Sequence, residues 1–523
     1  MSPAAARVFS VLCLLLLSFA GCGSLPRQPE RKPEKTHPDM AGTRLGLAVA
    51  PDLARHPGDS GYHPTNLGTD AFVARVLLAR AAERSLDVQY YDFHADNTGA
   101  AFIHELLAAA DRGVQVRLLL DDLHTAGRDD VLAVVDSHPN IELRLFNPFV
   151  NRGARWLDFL GDFSRVNRRM HNKSMTADNQ VSIVGGRNIG DEYFAAPSEV
   201  EFSDFDVVAI GPVVSEVARE FENYWSSSVV YSPASLKLHV DPAKGGLAGA
   251  RRRLETTIES LKSTPYAKDL QSSDLARALQ RHELSLFWGS GAVIADEPLK
   301  VTLPTADSST HAMPKLAEIF KQAQHELILV SPYFIPRHDG MEWLKAVAGR
   351  GVRVMILTNS TAASDVKIVS SSYALYREEL LRAGIELYEF KHTLAVEGDH
   401  RHSEKLPKSS RSSLHAKVYV ADARTLYVGS LNLDPRSIDL NTEMGIMITS
   451  DALGADVRNR LLARLPEIAY RVELDSGADP MGRLVWVTKE NGREVRLDSE
   501  PAVSGWGKFM RGLQQALPIE HLL

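Results

Sequence analysis

The sequence predicts an α/β protein of two homologous lobes, each a mixed β-sheet flanked by helices, packed as a pseudo-dimer with the active site between them. Three observations predict it. The pattern H-x-K-x-x-x-x-D occurs twice, as His171-Asn172-Lys173-Ser174-Met175-Thr176-Ala177-Asp178 and as His415-Ala416-Lys417-Val418-Tyr419-Val420-Ala421-Asp422, and 415 − 171 = 244. The same offset of 244 carries Val184 to Val428, Gly185 to Gly429, Asn188 to Asn432 and Ile141-Glu142-Leu143 to Ile385-Glu386-Leu387. So long a period fits two large related halves, whereas solenoids repeat every 20 to 50 residues or so. Finally, an order of helix, strand, helix, strand recurs in both halves, the sequence form of right-handed crossover units.

The 523 residues are 44% hydrophobic and 24% charged, which suits a globular protein with a sizeable core and excludes a polytopic membrane protein or a mostly disordered chain. A net charge of −7 gives no overall attraction to nucleic acid, so no nucleic-acid partner is expected and any anion site must be built locally.

In chain order, Arg7 precedes the apolar run Val8 to Phe19, which is short for a bilayer span and reads as the core of a secretory signal covering residues 1–21. Phe19-Ala20-Gly21-Cys22 resembles a bacterial lipobox, making Cys22 the expected site of lipid attachment, although Phe19 stands where Leu is usual. An ordinary signal peptide is the alternative. With Cys22 acylated and Cys13 removed, the mature chain has no thiol for a disulfide or metal site. Gly23 after the cysteine favours the periplasmic face of an outer membrane.

Residues 22–66 read as a Pro- and Lys/Arg-rich tether. The first lobe is placed at 67–232, opening with a helix capped near Thr69-Asp70, then a strand at Leu86–Phe93, a helix at Phe102–Asp111 and a buried strand after Arg112-Gly113. Residues 233–300 form a polar helical connection whose Arg251-Arg252-Arg253 reads as an exposed face. The second lobe, 301–455, repeats the order: helix at Lys315–Gln324, strand at Leu327–Phe334, helix at Met341–Ala348, strand after Gly351. Residues 456–523 are a C-terminal extension, with a helix at Asp456–Val472, a hairpin around Asn491-Gly492 and an amphipathic stretch from Trp506 to Leu523.

On an extended segment, residues i and i+2 share a face, so each motif aims an imidazole and an ammonium into one space. A phosphate is the natural ligand. Lys173 and Lys417 neutralise phosphoryl oxygens, and His171 and His415 serve as nucleophile or proton donor. Asn188 and Asn432 are placed to donate amide hydrogen bonds to the same oxygens. Asp178 and Asp422 complete the catalytic motif in sequence, yet lie an odd number of residues from their histidines, which gives them a supporting, structural role. One motif alone would be a satisfied histidine and a surface lysine; two with matched flanks are a site.

The duplicated motif with G-x-x-N resembles the phospholipase D superfamily over Gly68 to Ser450. The runs Met170-His171-Asn172-Lys173-Ser174, Gly185-Gly186-Arg187-Asn188-Ile189-Gly190-Asp191, Phe202-Ser203-Asp204-Phe205-Asp206, Leu433-Asp434-Pro435-Arg436-Ser437 and Leu517-Pro518-Ile519-Glu520 are similar to one bacterial branch, the cardiolipin synthase C type. That resemblance implies the phospholipase D fold and a transphosphatidylase working through a phosphohistidine. It makes His171 the nucleophile and His415 the general acid and later base, with their order left open by the near symmetry. Asp204 in the first half and Glu443 in the second are implied as the acids that fix imidazole tautomers. It implies no cofactor and no metal, the lysines supplying the charge. Phospholipids such as phosphatidylglycerol are the implied substrates, with the membrane reached through the anchor; whether a small accessory protein assists is open.

Two further clusters stand beside the motifs. His392, His400 and His402 with Lys391, Lys405 and Lys408 read as a solvated basic loop rather than a metal site. Trp156, Leu157, Phe159, Leu160 and Phe163 among Arg152, Arg155, Arg165, Arg168 and Arg169 suit either an anionic lipid surface or an amphipathic helix in the lobe interface. The rival functions are a hydrolytic phospholipase D, a phosphodiester nuclease and a non-catalytic membrane-binding lipoprotein.

Overall fold

A computed structural model of the chain describes residues 24–26, 40–281, 283–305, 307–392, 411–475, 482–490 and 492–503. The signal segment with Cys22, the loop residues His400, His402, Lys405 and Lys408, Asn491 of the hairpin, and Trp506 to Leu523 lie outside the described residues.

The first lobe contributes β1 (Ser60–Thr65), β2 (Ser85–Tyr90), β3 (Gln115–Asp121), β4 (Ile141–Phe146), β5 (Ser174–Ala177), β6 (Val181–Gly185), β7 (Val200–Ser203), β8 (Asp206–Ile210) and β9 (Val230–Tyr231). The second contributes β10 (Phe287–Ala295), β11 (Glu326–Val330), β12 (Arg353–Asn359), β13 (Glu386–Phe390), β14 (Arg411–Leu414), β15 (Val418–Ala421), β16 (Thr425–Gly429), β17 (Met444–Thr449), β18 (Ala469–Asp475), β19 (Arg483–Glu490) and β20 (Arg493–Leu497). Pairing runs β9-β4-β3-β2-β5-β6-β8-β1 through the first lobe and β10-β17-β16-β15-β11-β12-β13-β18-β19-β20 through the second, joined where β1 meets β10 antiparallel. The two halves are related by a pseudo-twofold axis at that seam, so the fold is the expected pair of mixed-sheet lobes.

The matched elements form for the same reasons in each half. β2, β3 and β4 are parallel, as are β11, β12 and β13, with helices Asn97–Asp111 and Arg337–Ala348 crossing between them. Gly113 and Gly351 leave those crossings in the left-handed region at φ 94° and 86°, the conformation that ends a helix and turns it into the next strand. The seam is a hydrophobic core: Tyr62, Val207, Val213 and Val217 of one lobe pack with Ile328, Val418 and Ile446 of the other. At roughly 1.5–3 kcal/mol for each fully buried aliphatic side chain, it locks the lobes together.

The structure corrects several sequence boundaries. Within the expected tether, Arg44–Arg55 is a helix and β1 is the seam strand of the first lobe; Pro64 is tolerated because β10 pairs only with Ser60, Gly61 and Tyr62, leaving one neighbour at Pro64. The connection ends in β10, a second seam strand, after helices Gly246–Lys262, Pro265–Gln271 and Asp274–Gln280, which cover the first lobe. Helix Asn97–Asp111 begins before Phe102 because Asp96 caps it, accepting from Gly99 N–H at 2.9 Å. Asp70 caps nothing on its own helix, which starts at Gly68; its carboxylate accepts from Leu275 N–H at 2.9 Å. The last helix, Asp451–Ile468, stops before Val472, and β18 to β20 extend the second sheet instead of forming a separate extension.

Candidate active site

Both motifs sit on the seam. His171 and Lys173 precede β5, and His415 and Lys417 precede β15, in extended backbone drawn across to the opposite lobe. Met170 bridges Thr442, and His171 N–H donates to Thr442 O at 2.8 Å. In mirror fashion β14 pairs with β7 in parallel, and His415 N–H donates to Ser203 O at 2.8 Å.

The same crossings place each acid against the other lobe's histidine. His171 Nδ1 lies 2.8 Å from Glu443 Oε2, and His415 Nδ1 lies 2.6 Å from Asp204 Oδ2. Each imidazole is thereby fixed through Nδ1, with Nε2 as the atom left for chemistry, and Lys417 Nζ lies 3.2 Å from His415 Nε2. Lys173 Nζ donates to His171 O at 2.6 Å and Lys417 Nζ to His415 O at 2.5 Å, which folds each ammonium over its own histidine. All four side chains, and both acids, are buried.

Burial sets the electrostatics. It pulls the Lys173 ammonium down to about 7, with the like charge of Lys417 adding to the effect, and pulls Lys417 down to about 8. Burial, then Lys173 and Lys417, hold His171 well below the ordinary imidazole value. His415 is also lowered by burial and by Lys417, but Asp204 works against that shift. The two acids differ. Burial pushes Glu443 up to about 7, whereas at Asp204 the His415, Lys417 and Arg187 charges overcome burial and hold the carboxyl below its usual range.

Asp178 and Asp422 are not at the reacting centre. Each occupies a left-handed turn position, φ 48° and 52°, at the tip of its motif hairpin. The Asp178 carboxylate accepts from the N–H groups of Glu83, Arg84 and Ser85, and that of Asp422 from Gln324, His325 and Glu326. They pin each hairpin to the start of its neighbouring strand, so these members of the catalytic motif have the supporting, structural role expected of them and no place at the reacting centre. The asparagines are also engaged: Asn188 Nδ2 donates to Tyr193 Oη at 3.0 Å, and Asn432 Nδ2 to Ser437 Oγ at 3.3 Å. These amide hydrogen bonds brace the loops after β6 and β16.

Other residues complete the site without any motif to announce them. The Tyr91 ring stands edge-on to His171 and the Tyr193 ring edge-on to His415, at centroid separations of 5.0 and 5.3 Å. Ser430 donates to Glu443 Oε2 at 2.5 Å. At the matching position, 430 − 244 = 186, the first lobe has Gly186, where a Cβ would come within 2.1 Å of Asp204 Oδ1. That swap of Ser for Gly was the available signal that the two acids sit differently. Among the described residues one group has metal-ligand spacing, His94, Asp96 and Glu192. His94 itself supplies the cation there, pushed up to about 12 by Asp92, Asp96 and Glu192.

The arginines of the Trp156–Phe163 segment turn inward: Arg152 meets Asp122 and Asp129 at 2.6 Å each, and Arg169 meets Asp121 at 3.0 Å. Trp156, Phe159, Leu160 and Phe163 are left exposed, Leu160 by 78%.

Two like lobes closing on paired histidines and lysines define a phosphotransfer enzyme. Comparison with known proteins gives the family. A family model described as "Cardiolipin synthase, PLD-like domain" matches residues 77–225 and 316–464, one match in each lobe. The chain is 42% identical over 482 residues to cardiolipin synthase C of Escherichia coli K12, covering 92% of this chain and 100% of that one. It is 29% identical to an uncharacterized protein of Helicobacter pylori J99, covering 99% of this chain and all of the other. In fold it is similar to the crystal structure of a phosphatidylserine synthase from Haemophilus influenzae, with a TM-score of 0.53 at 16% identity over 80% of this chain and 90% of that one. The chain belongs to the cardiolipin synthase family of the phospholipase D superfamily.

Proposed function

We propose that the protein is a phosphatidyltransferase that moves a phosphatidyl group from one phospholipid to the headgroup alcohol of another, with phosphatidylglycerol as donor and acceptor and cardiolipin as product. The crossed pairs His171–Glu443 and His415–Asp204 carry this reading, because each fixes Nδ1 of one imidazole and leaves its Nε2 for chemistry, where both histidines feel the charges of Lys173 and Lys417.

The anionic phosphodiester enters between Lys173 and Lys417 and restores the protonation that burial suppresses in the empty site. His171, held neutral, attacks phosphorus through Nε2; the bond from phosphorus to the glycerol oxygen breaks, and the His415 imidazolium gives that oxygen its proton. His415, now neutral, takes the proton of the incoming hydroxyl as it attacks phosphorus and the phosphorus–nitrogen bond breaks. The difference between the acids supports this order. An ionised Asp204 stabilises the imidazolium that a general acid needs, and a Glu443 near neutrality leaves His171 uncharged. Asp204 and Glu443 act as positioning residues.

Exposed Trp156, Phe159, Leu160 and Phe163 lie in the segment leading to His171 and suit insertion into the bilayer surface. Arg152 and Arg169 are paired with acids of the protein, so the exposed apolar side chains carry this contact. Arg7, the Val8–Phe19 run and the Ala20-Gly21-Cys22 ending support export and acylation of Cys22, and Gly23 supports the outer membrane's periplasmic face. Palmitate labelling of cells expressing the wild type and Cys22→Ala tests the anchor; equal labelling would count against it.

The activity is tested by incubating purified protein with phosphatidylglycerol liposomes and resolving the lipids by mass spectrometry. Cardiolipin with free glycerol is expected; phosphatidic acid with glycerol and no cardiolipin would make the protein a hydrolase.

A further inference from the structure

The first lobe has a partly open cleft of about 290 Å³, close to the roughly 300 Å³ at which small-molecule sites begin. Its walls are mostly apolar, with Ile103 and Leu107 of helix Asn97–Asp111, Leu118 of β3 and Leu247 and Leu254 of helix Gly246–Lys262, and the charged Asp121, Arg128, Asp130 and Arg253 also line it. Two features connect it to the chemistry. Tyr91 belongs to its lining, and the same ring stands edge-on to His171 at 5.0 Å and to His124, also of the lining, at 5.0 Å. The covering helix comes from the segment between the lobes.

The lining on that helix runs from Leu247 to Thr257, and 257 − 247 = 10 residues. At about 1.5 Å per residue this is about 15 Å, the hydrocarbon depth of one leaflet of a bilayer whose core is about 30 Å thick. The position beside the nucleophilic histidine selects the occupant: a covalent phosphatidyl–His171 retains its diacylglycerol throughout the reaction, while the headgroup alcohol leaves.

We propose that this cavity binds one acyl chain of the phosphatidyl group during transfer, so that the first lobe holds the donor. The inference rests on the phosphatidyl-transfer reading, and its test is separable from that reading. Full-length protein is irradiated in mixed micelles with phosphatidylglycerol carrying a diazirine on one acyl chain, and the adducts are mapped by peptide mass spectrometry. Adducts on helices Asn97–Asp111 or Gly246–Lys262 are expected; adducts confined to Trp156–Phe163 or to the second lobe overturn the proposal. In parallel, Ala250→Trp, which places an indole in the lining, should lower the ratio of kcat/KM for dioleoyl- over dihexanoyl-phosphatidylglycerol by roughly tenfold or more. No change, or an equal loss on both substrates, overturns it. A protein yielding only phosphatidic acid would refute the synthase reading while both readouts still report on the cavity.

Discussion

His415 Nδ1 lies 2.6 Å from Asp204 Oδ2, a carboxylate 211 residues earlier that the other lobe carries. The pairing makes neither lobe self-sufficient, since each contributes a histidine that only its counterpart can orient. Asp204→Asn should therefore reduce kcat by roughly 10²–10⁴-fold with little effect on KM, because it removes the charge that stabilises the imidazolium. Glu443→Gln should cost less, as Glu443 is pushed up to about 7 and is already only partly ionised at neutral pH. Steady-state kinetics on phosphatidylglycerol micelles compares the two; an equal loss would show that charge at the two positions does the same thing.

Asp178→Ala should destabilise the first lobe and leave the chemistry of the folded fraction intact. Three N–H groups, of Glu83, Arg84 and Ser85, lose their acceptor in a setting where Asp178 is wholly buried. The expected cost is about 2–4 kcal/mol, read from denaturant unfolding, with kcat per folded molecule near that of the wild type.

The lysines set an alkaline limit. In the free enzyme Lys173 and Lys417 lose their protons near about 7 and about 8, and each loss removes positive charge needed for an anionic diester. Accordingly kcat/KM should fall as pH rises through 7 to 8. On the acid side, activity should persist below the ordinary imidazole value, because His171 is held well below it and stays nucleophilic. A pH profile of kcat/KM that climbs from pH 7 to 9 would contradict this assignment.

Leu160→Asp should weaken liposome binding about tenfold or more, from the loss of one inserted apolar side chain. Since Arg152 and Arg169 are paired within the protein, raising the salt to about 0.5 M should change wild-type binding by no more than about twofold. Vesicle sedimentation measures both effects.

Much of this site was legible in the sequence because it is written twice. The repeat fixed attention on His171, Lys173, His415 and Lys417, and the i, i+2 spacing put each pair on one face of the extended backbone that leads into β5 and β15. The resemblance named Asp204 and Glu443 as the acids, but which histidine each would meet was beyond reach, since the pairing of His171 with Glu443 spans 272 residues and is created by the lobes meeting. The seam strands were unreadable for a related reason. β10 contains Gly289, Ser290 and Gly291, which look like a linker; a Cβ at Gly291 would come within 1.9 Å of Tyr62 Oη, so close contact between lobes demands the glycine that erases the strand pattern. β1 has a single large apolar residue, Tyr62, and a proline, for which composition alone gives a tether.

The central claim is that His171 carries the phosphatidyl group while His415 moves protons. A phosphatidyl ester of p-nitrophenol, whose leaving group needs no proton, tests it in the His415→Ala protein. One equivalent of nitrophenol should be released in a burst and turnover should then stall, with mass spectrometry placing the phosphatidyl adduct on His171. A burst in His171→Ala, with the adduct on His415, would contradict the assignment.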